Sequence, residues 1–275
     1  MSATPHIALT IAGSDPSGGA GIQADLKTFT ALGVYGASVI TALTAQNTIG
    51  VTGVMKVPVD FIAAQFQAVT SDLAVNAIKT GMLPDVETVE RVSDLLAHAE
   101  IGHVVVDPVM VATSGDRLID EDAVSAVRHR LVPIASLITP NLPEAAALVG
   151  GDVAATEDQM LRQARELLQL GCRAVLMKGG HGAGAAAVDI LVTSSGAVVR
   201  LSEPRIETRN THGTGCTLAA AIAAELAKGR SLQDAVRRSK HFVWSAIQSA
   251  ASHHIGSGQG PVDHLFSVKN SSLKD

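Results

Sequence analysis

Short apolar runs alternate with amphipathic segments along most of the chain, and this alternation constrains the fold more than any other feature. The runs HIALTIAG (6–13), HVVVDPV (103–109) and RAVLMKGG (173–180) are continuous, as is typical of strands buried on both faces. Intervening segments such as GIQADLKTFTALG (21–33) repeat apolar residues at helical spacing. The pattern predicts an α/β domain with a central, mostly parallel sheet and helices on both faces.

The length and the composition favour one domain. The chain has 275 residues, of which 47% are apolar and only 3% aromatic, so we expect a large core of Ala, Val, Leu and Ile. No linker, internal repeat or low-complexity segment divides it. We therefore expect a single domain over residues 1–275, with its core from about 6 to 265. The Gly- and Ser-rich residues after His254 predict a flexible C-terminal tail.

Charge and composition exclude several classes of function. The net charge of −5 and the scarcity of aromatic residues argue against nucleic-acid binding, which needs a basic surface and stacking platforms. No apolar stretch approaches the ~20 residues of a transmembrane helix. The only cysteines are Cys172 and Cys216, too few for a disulfide scaffold, and the N-terminus lacks a signal-peptide pattern. We expect a cytoplasmic protein.

Polar and glycine-rich groups follow several of the predicted strands. They are Gly13–Gly21, Asp107, Asn141 and Lys178–Gly180. In open parallel sheets, ligands bind at the carboxyl ends of the strands. This coincidence indicates a ligand site at that edge.

The first glycine-rich loop, Gly13–Gly21, resembles two nucleotide-binding motifs but lacks an essential residue of each. Gly13 and Gly18 have the Walker A spacing, yet Gly-Ala follows instead of Lys and Ser/Thr. A G-x-G-x-x-A pattern begins at Gly19, but the expected ribose-binding acid is absent from YGASVITALTAQ (35–46). The alternative is a tight turn between strand and helix.

The second loop, RNTHGTGCT (209–217), precedes a strongly helical, Ala-rich run. Backbone N–H groups at such a helix start, together with the helix dipole, favour an anion. Cys216 lies at this N-terminus, where the pKa of a thiol is expected to be lowered. The alternative is a glycine-rich turn followed by a small core cysteine.

Together, AGSDPSGGAG (12–21), NLPE (141–144) and NTHGTGC (210–216) resemble one family closely. VITALTAQNT, KTGML, DPVM and VLMKGGH support the same resemblance, which runs in order from about residue 6 to 265. The family is the bacterial bifunctional hydroxymethylpyrimidine/phosphomethylpyrimidine kinases of thiamine biosynthesis, within the ribokinase-like superfamily.

The resemblance implies a fold and an activity. The fold is a single ribokinase-like α/β domain, often a homodimer. ATP with Mg²⁺ phosphorylates the hydroxymethyl group of 4-amino-5-hydroxymethyl-2-methylpyrimidine, and a second ATP converts the monophosphate into the diphosphate. The partners implied are thus this small pyrimidine and ATP.

The resemblance also implies a pyrimidine site formed by Gly13, Asp25, Gln46, Met82 and Val109. The Gln46 amide both donates and accepts, as a ring nitrogen beside an exocyclic amine requires. Asp25 would accept a hydrogen bond from the hydroxymethyl or amino group. Its alternative is a solvated acid in the first turn of a helix.

The implied catalytic and nucleotide residues lie in later segments. The catalytic set is Cys216, Gly213, Gly215 and Lys178. ATP would be bound by Lys178, Thr211, Gly213, Thr214 and Gly215. Magnesium and its waters would be held by Asp107, Asn141 and Glu144. Asn141 and Glu144 also have the spacing of a capping box, and both roles are compatible.

For the mechanism, the resemblance implies that Cys216 is the base in the first reaction, where sugar kinases of the superfamily carry Asp. A phosphate monoester has a second pKa of ~6 and needs less help. Replacing Cys216 by Ala or Ser should therefore impair the first phosphorylation more than the second. Alternatives are a pyridoxal kinase of the same superfamily and a non-catalytic binding protein. TSGDRLID (113–120) is a candidate flap over the substrate.

Overall fold

The computed structural model describes residues 5–111, 119–180 and 184–269. In these ranges, nine strands form one sheet in the order β3-β2-β1-β4-β5-β6-β7-β8-β9. Strands β1, β2, β4, β5, β6 and β7 are parallel, whereas β3, β8 and β9 run antiparallel to their neighbours. The bounds are β1 Ile7–Ser14, β2 Tyr35–Gln46, β3 Val51–Lys56, β4 Ala77–Thr80, β5 Val104–Val106, β6 Leu137–Ile138, β7 Ala174–Lys178, β8 Ala186–Thr193 and β9 Val198–Pro204.

Helices cover both faces of this sheet. Their bounds are α1 Gly21–Ala31, α2 Val59–Thr70, α3 Val86–Ala97, α4 Glu121–Ala126, α5 Leu142–Val149, α6 Glu157–Leu168, α7 Thr214–Ala227, α8 Leu232–Ala250 and α9 Phe266–Lys269. Helices α1, α7 and α8 pack on one face, and α2 to α6 on the other. Every residue of α7 from Thr217 to Ala227 is buried, because its alanines let the helix lie close to the sheet. The predicted mostly parallel, two-faced α/β fold is confirmed.

Local signals placed most elements correctly. Gly33, with φ +71°, follows the end of α1 and is the last residue of the segment whose spacing predicts that helix, and Thr156 caps α6. Sequence reasoning missed α4 and the π- and 3₁₀-helical residues 127–134 that follow it. Six residues are too few for a periodic pattern to appear in the sequence.

Two expectations concern the ends of described segments. Part of the segment after His254, for which we expected a flexible tail, packs against the domain, because Val262 and His264 are buried. Residues 270–275, the end of the predicted tail, lie outside the described residues. Most of the candidate flap, residues 113–118, also lies outside them. Among the described helices, none is both long enough and apolar enough to cross a bilayer.

Candidate active site

The carboxyl ends of β1, β5, β6 and β7 meet the N-terminus of α7 at one edge of the sheet. Asp107 follows β5, and Asn141, which follows β6, forms a bridge with Lys178 at the end of β7. Gly215 in the first turn of α7 lies against this group, because a Cβ added there would be 3.3 Å from Lys178 Nζ and 3.6 Å from Asp107 Oδ2. The predicted polar groups are therefore close together.

Lys178 places a positive charge at the carboxyl ends of these strands and is paired with two carboxylates. Its Nζ lies 2.8 Å from Asp107 Oδ1 and 3.8 Å from Glu144 Oε2. Asp107 Oδ1 also accepts a hydrogen bond from Thr139 Oγ1 at 3.1 Å. Burial alone would lower the pKa of Lys178, but the two carboxylates outweigh it and raise that pKa. The ammonium is therefore charged and directed by its partners.

Glu144 titrates far from its usual range. Burial raises the pKa of Glu144 to about 7, and the nearby Asp107 charge adds to this effect. Lys178 and the N–H groups of Asn141 and Met110 oppose it. Among the described residues, two buried carboxylates thus share the Lys178 ammonium, so this group of three side chains carries more negative than positive charge when both carboxylates are ionised.

Asn141 and Glu144 form the capping box that their spacing predicts. Asn141 Oδ1 accepts from the Glu144 N–H at 2.8 Å, and Glu144 Oε2 accepts from the Asn141 N–H at 2.7 Å. The described residues contain no group of three or more His, Cys, Asp or Glu side chains arranged to hold a metal ion. The two residues therefore start α5, and a preformed protein cage for a metal is absent from the described part of the chain.

The two glycine-rich loops pack against each other, a contact that the sequence did not indicate. Gly213 has φ +78°, and a Cβ added there would lie 1.8 Å from the carbonyl oxygen of Gly19. Only glycine fits at such an approach. His212 Nε2 lies 2.8 Å from Asp15 Oδ2, and both side chains are buried. The first loop is thus a support for the second.

Asp15 also organises its own loop. Its Oδ1 accepts from the Ser17 N–H and hydroxyl, and its Oδ2 accepts from the Ala20 N–H at 2.8 Å. Burial opposes the charged form, but the hydrogen bonds from His212, Ser17 and Ala20 prevail and lower the pKa of Asp15. The carboxylate fixes the turn that leads into α1.

Cys216 lies in the first turn of α7, half-buried against the start of α1. Burial raises the pKa of its thiol to about 11. The Lys79 ammonium opposes this shift, the Asp25 and Asp107 carboxylates add to it, and the Gly21 N–H opposes it. The predicted lowering of this pKa is therefore wrong for the protein without ligands. Desolvation and two nearby carboxylates outweigh the helix dipole.

Asp25 is neither a solvated acid nor an exposed ligand of the site. It is fully buried between α1 and the strands β1 and β4, where Oδ2 accepts from Lys79 Nζ at 2.8 Å and from Thr10 Oγ1 at 2.6 Å. Its Oδ1 has no hydrogen-bond partner among the described residues. Burial raises the pKa of Asp25, although Lys79 and Thr10 oppose the shift. Its charge therefore acts on Cys216 from behind the site.

The predicted pyrimidine residues line the neighbouring strand ends. Gly13 faces Met82, since a Cβ added at Gly13 would be 3.2 Å from the Met82 methyl carbon. Gln46 ends β2, and its Oε1 lies 3.2 Å from Thr44 Oγ1, which is 2.8 Å from Ser14 O at the end of β1. The polar end of Gln46 thus lies near the end of β1.

Val109 and the loop threonines complete the predicted set. Val109 is half-buried, two residues beyond Asp107, and its N–H donates to the Asp107 carbonyl at 2.8 Å. The Thr211 carbonyl accepts from the N–H and hydroxyl of Thr214. Since an α-helix provides no acceptors for its first N–H groups, those of Gly215 and Cys216 are available to an anion.

Sequence reasoning missed three residues that shape the site, namely Asp15, His212 and Lys79. Asp15 had a signal, because Ser-Asp-Pro-Ser is typical of a turn closed by an aspartate side chain. Lys79 also had one, since a lysine inside the apolar strand AIKT demands a buried counter-charge. The pairing partners, 54 and 197 residues distant, could not be read from spacing.

Comparisons with known proteins show similarity over most of the chain. A hydroxymethylpyrimidine/phosphomethylpyrimidine kinase of Salmonella typhimurium is 53% identical over 258 residues, which cover 94% of this chain and 97% of that protein. The ADP complex of a Bacillus subtilis pyridoxal kinase superposes with a TM-score of 0.89 and 38% identity, over 97% of this chain and 100% of that one. A Clostridium difficile phosphomethylpyrimidine kinase gives 0.77 and 44%, over 88% and 99%.

These similarities extend over nearly the whole chain. A family model described as phosphomethylpyrimidine kinase matches residues 15–263, a range that includes the second glycine-rich loop and all of the first except Gly13 and Ser14. The fold is shared with ribokinase-like kinases that transfer phosphoryl groups. The chain therefore belongs to the phosphomethylpyrimidine kinase family.

Proposed function

We propose that the protein uses ATP to phosphorylate 4-amino-5-hydroxymethyl-2-methylpyrimidine to its monophosphate and then to its diphosphate, as a step in thiamine biosynthesis. The observation that carries the proposal is the convergence of Lys178, Gly215 and Cys216 on the start of α1, in a chain whose relative from Salmonella typhimurium bears the names of both activities. The Gly21 N–H hydrogen-bonds to Cys216, and a Cβ added at Gly21 would lie 2.5 Å from the Gly13 carbonyl oxygen.

The phosphate loop, residues 211–216, would hold the transferred phosphoryl group. Phosphoryl transfer depends on positioning and on charge stabilisation more than on covalent chemistry by the protein. The N–H groups of Gly215 and Cys216 and the Lys178 ammonium would stabilise the charge on the equatorial oxygens. Preorganised donors of this kind contribute about 3 kcal/mol each to the transition state. Lys178, Thr211, Gly213, Thr214 and Gly215 would also bind the ATP phosphates.

The donor set near Lys178 fits magnesium bound together with a nucleotide. Mg²⁺ prefers hard oxygen ligands, keeps several waters, and is held by one or two carboxylates plus substrate phosphates rather than by a protein cage. Asp107 and Glu144 supply such carboxylates, and both pair with the Lys178 ammonium. Asn141 would hold Glu144 through the capping box. When bound, the ion would neutralise part of the phosphate charge.

The pyrimidine would lie flat against Gly13, between Met82 and Val109. The Gln46 amide would read the ring nitrogen and the exocyclic amine. Asp25 would contribute its charge from behind the wall. In the first reaction, Cys216 would receive the hydroxyl proton through the small fraction of molecules that carry a thiolate. The monophosphate of the second reaction is already largely ionised at pH 7 and needs no base.

The test is mass spectrometry of the products formed from the hydroxymethylpyrimidine and Mg-ATP. We expect the monophosphate first and the diphosphate later, and Lys178→Met should abolish both. Arg173→Met is a matched control, because it also removes a positive charge but at the residue just before β7, at the opposite end of that strand from Lys178. If the monophosphate forms but is never converted into the diphosphate, the second activity is contradicted. If neither product forms, the whole proposal is contradicted.

A pyridoxal kinase activity is the second candidate, and the 0.89 TM-score with the Bacillus subtilis enzyme favours it. Structural similarity does not separate the two activities, because pyridoxal also presents a hydroxymethyl group on a flat ring. The higher identity with the Salmonella typhimurium enzyme favours the pyrimidine. Equal amounts of both substrates in one reaction would rank them, and faster pyridoxal turnover would reverse our choice.

We also propose a cytoplasmic homodimer. Both cysteines are free thiols, which suits a reducing compartment. Strand β3 is an edge of the sheet, and an apolar surface around it is exposed. Its members are Leu43, Ile49, Val54, Met55 and Phe61. Light scattering should give the mass of two chains, and Met55→Asp should give one.

A further inference from the structure

A short segment near the C-terminus connects two parts of the candidate site. We call residues 258–264 the C-terminal brace. Its N–H groups at Gly258 and Gln259 donate to Thr48, at 3.2 Å to Oγ1 and 2.9 Å to the carbonyl oxygen. Thr48 lies in the turn two residues after Gln46. One end of the brace is thus fixed to the segment that carries the proposed pyrimidine-reading amide.

The other end of the brace is fixed to the phosphate loop. The Gly260 carbonyl accepts from the His212 N–H at 3.0 Å, and Thr211 Oγ1 lies 3.3 Å from Gln259 Oε1. Asn210, just before the loop, donates its amide to the carbonyls of Ala250 and His253. These bonds hold the loop to the chain that leads into the brace.

His264 extends the brace to the first turn of α7. His264 Nε2 lies 2.9 Å from Thr217 Oγ1, and Thr217 Oγ1 donates to the Gly213 carbonyl at 2.8 Å. Since the single hydroxyl hydrogen is used for Gly213, the ring nitrogen must be the donor to Thr217. Burial lowers the pKa of His264 to about 4, so the ring is neutral and the relay is intact at pH 7.

The relay ends on the residue whose conformation defines the loop. Gly213 has φ +78° and lies against Gly19, so its peptide has little room. Because the peptide group is planar, fixing the Gly213 carbonyl fixes the direction of the Thr214 N–H and the start of the helix. The start of the helix in turn sets the directions of the Gly215 and Cys216 N–H groups.

We propose that the C-terminal brace positions the phosphate loop and couples it to the turn after Gln46, with His264 and Thr217 as positioning residues. This inference rests on the proposed function, in which the loop holds the transferred phosphoryl group. Neither residue touches the reacting atoms. Their effect is on the geometry of groups that do, where displacement by about 1 Å lowers rates strongly.

The test compares substitutions at the two ends of the brace. His264→Leu removes the donor to Thr217, whereas His264→Gln offers an amide N–H in its place. Gly258→Ala places a Cβ 1.9 Å from the Thr48 carbonyl oxygen and forces that end away. Gly102→Ala is the matched control, because no atom lies within 4 Å of its added Cβ.

We expect His264→Leu to lower kcat for both phosphorylations by roughly tenfold, the effect of one lost hydrogen bond, with KM for ATP nearly unchanged. His264→Gln should recover most of kcat. Gly258→Ala should raise KM for the pyrimidine and also lower kcat, although Thr48 lies far along the chain from the loop. Gly102→Ala should match the wild type. Wild-type kinetics in folded His264→Leu and Gly258→Ala would overturn the proposal.

Amide hydrogen exchange separates this proposal from the function on which it rests. Both disruptive variants should speed exchange in residues 211–217 and in 46–50, with little change in α3 or α6. If the wild type makes no product but exchange changes in this way, the proposed function fails and the coupling stands. If exchange in these segments is unchanged or rises uniformly over the chain, the brace does not position the loop.

Discussion

His212 Nε2 lies 2.8 Å from Asp15 Oδ2, so a residue of the phosphate loop is held by a carboxylate from the first glycine-rich loop. The two residues are 197 positions apart, and both are almost fully buried. This contact, together with the packing of Gly213 on Gly19, makes the conformation of each loop depend on the other. If the second loop holds phosphate as proposed, the first loop would act on that binding through this contact, without the lysine of a Walker motif.

Replacing Asp15 by Asn should lower the free energy of unfolding by about 3 kcal/mol, because a buried, multiply hydrogen-bonded carboxylate is lost. The pKa of Asp15 is lowered in the folded protein. Its stabilisation is therefore fully present above the unfolded value of 3.8 and is lost as pH falls through the lower folded value. Urea unfolding between pH 3 and 7 measures both effects.

The exposed residue Asp72 provides the control for this experiment. Asp72→Asn should change the unfolding free energy by less than about 0.5 kcal/mol at each pH. If Asp15→Asn lowers the unfolding free energy by less than about 1 kcal/mol relative to the wild type, the contact with His212 is not needed to hold the loops.

The buried pair of Lys79 and Asp25 should be costly to break singly and inexpensive to remove whole. Lys79→Met leaves the carboxylate buried without a cation and should cost about 3–5 kcal/mol. The double substitution Asp25→Leu with Lys79→Met should recover most of that loss, because neither charge then needs desolvation. A double-mutant cycle by chemical unfolding gives the coupling energy.

The exposed pair Arg200 and Glu157, at 2.7 Å, is the matched control. Its side chains are about half exposed, so solvent screens the interaction and Arg200→Met should leave the unfolding free energy nearly unchanged. Similar costs for Lys79→Met and Arg200→Met would contradict the view that burial sets the value of the first pair.

The sequence predicted the fold well, because continuous apolar strands and capped helices are local signals. The capping box at Asn141 and Glu144 and the glycine after α1 belong to this class. The site was predicted as a set of strand-end residues, but not its electrostatics. The raised pKa of Cys216 depends on Asp25, Asp107 and burial together, which are tertiary facts. Local reasoning saw only the helix N-terminus.

Glu144 should make the protein less stable as pH rises through the neutral range. Its pKa is about 7 in the folded protein and 4.5 in a model peptide, so the folded state binds the proton more tightly between these values. The unfolding free energy therefore falls as pH rises from 4.5 to 7. Glu144→Gln can still accept from the Asn141 N–H and should lack this loss.

The measurement is the difference in unfolding free energy between the wild type and Glu144→Gln at pH 4.5, 6 and 7.5. The difference should shift in favour of the variant as pH rises. Glu87→Gln, at an exposed position in the first turn of α3, should give a curve of unfolding free energy against pH that is parallel to that of the wild type. If the curves for Glu144→Gln and the wild type are parallel, the pKa of the Glu144 carboxyl is not raised in the folded protein.

Cys216 should impose a pH dependence on the first phosphorylation alone. With a thiol pKa of about 11, roughly one molecule in 10,000 carries the thiolate at pH 7, and that fraction rises tenfold per pH unit. If this thiolate accepts the hydroxyl proton, log kcat for the alcohol should rise with a slope near one between pH 7 and 9. The slope for the monophosphate should be near zero, because that substrate is already ionised.

Cys216→Ser separates the side chain from hydroxide in solution. A serine hydroxyl cannot form the base in this range, so the first reaction should lose at least tenfold in kcat at pH 9, whereas the second should lose less. Steady-state rates with saturating Mg-ATP on each substrate provide the comparison. A slope near one that persists in Cys216→Ser would assign the proton to hydroxide. Equal losses in both reactions would leave Cys216 as part of the pocket wall, since only the alcohol has a proton to give up.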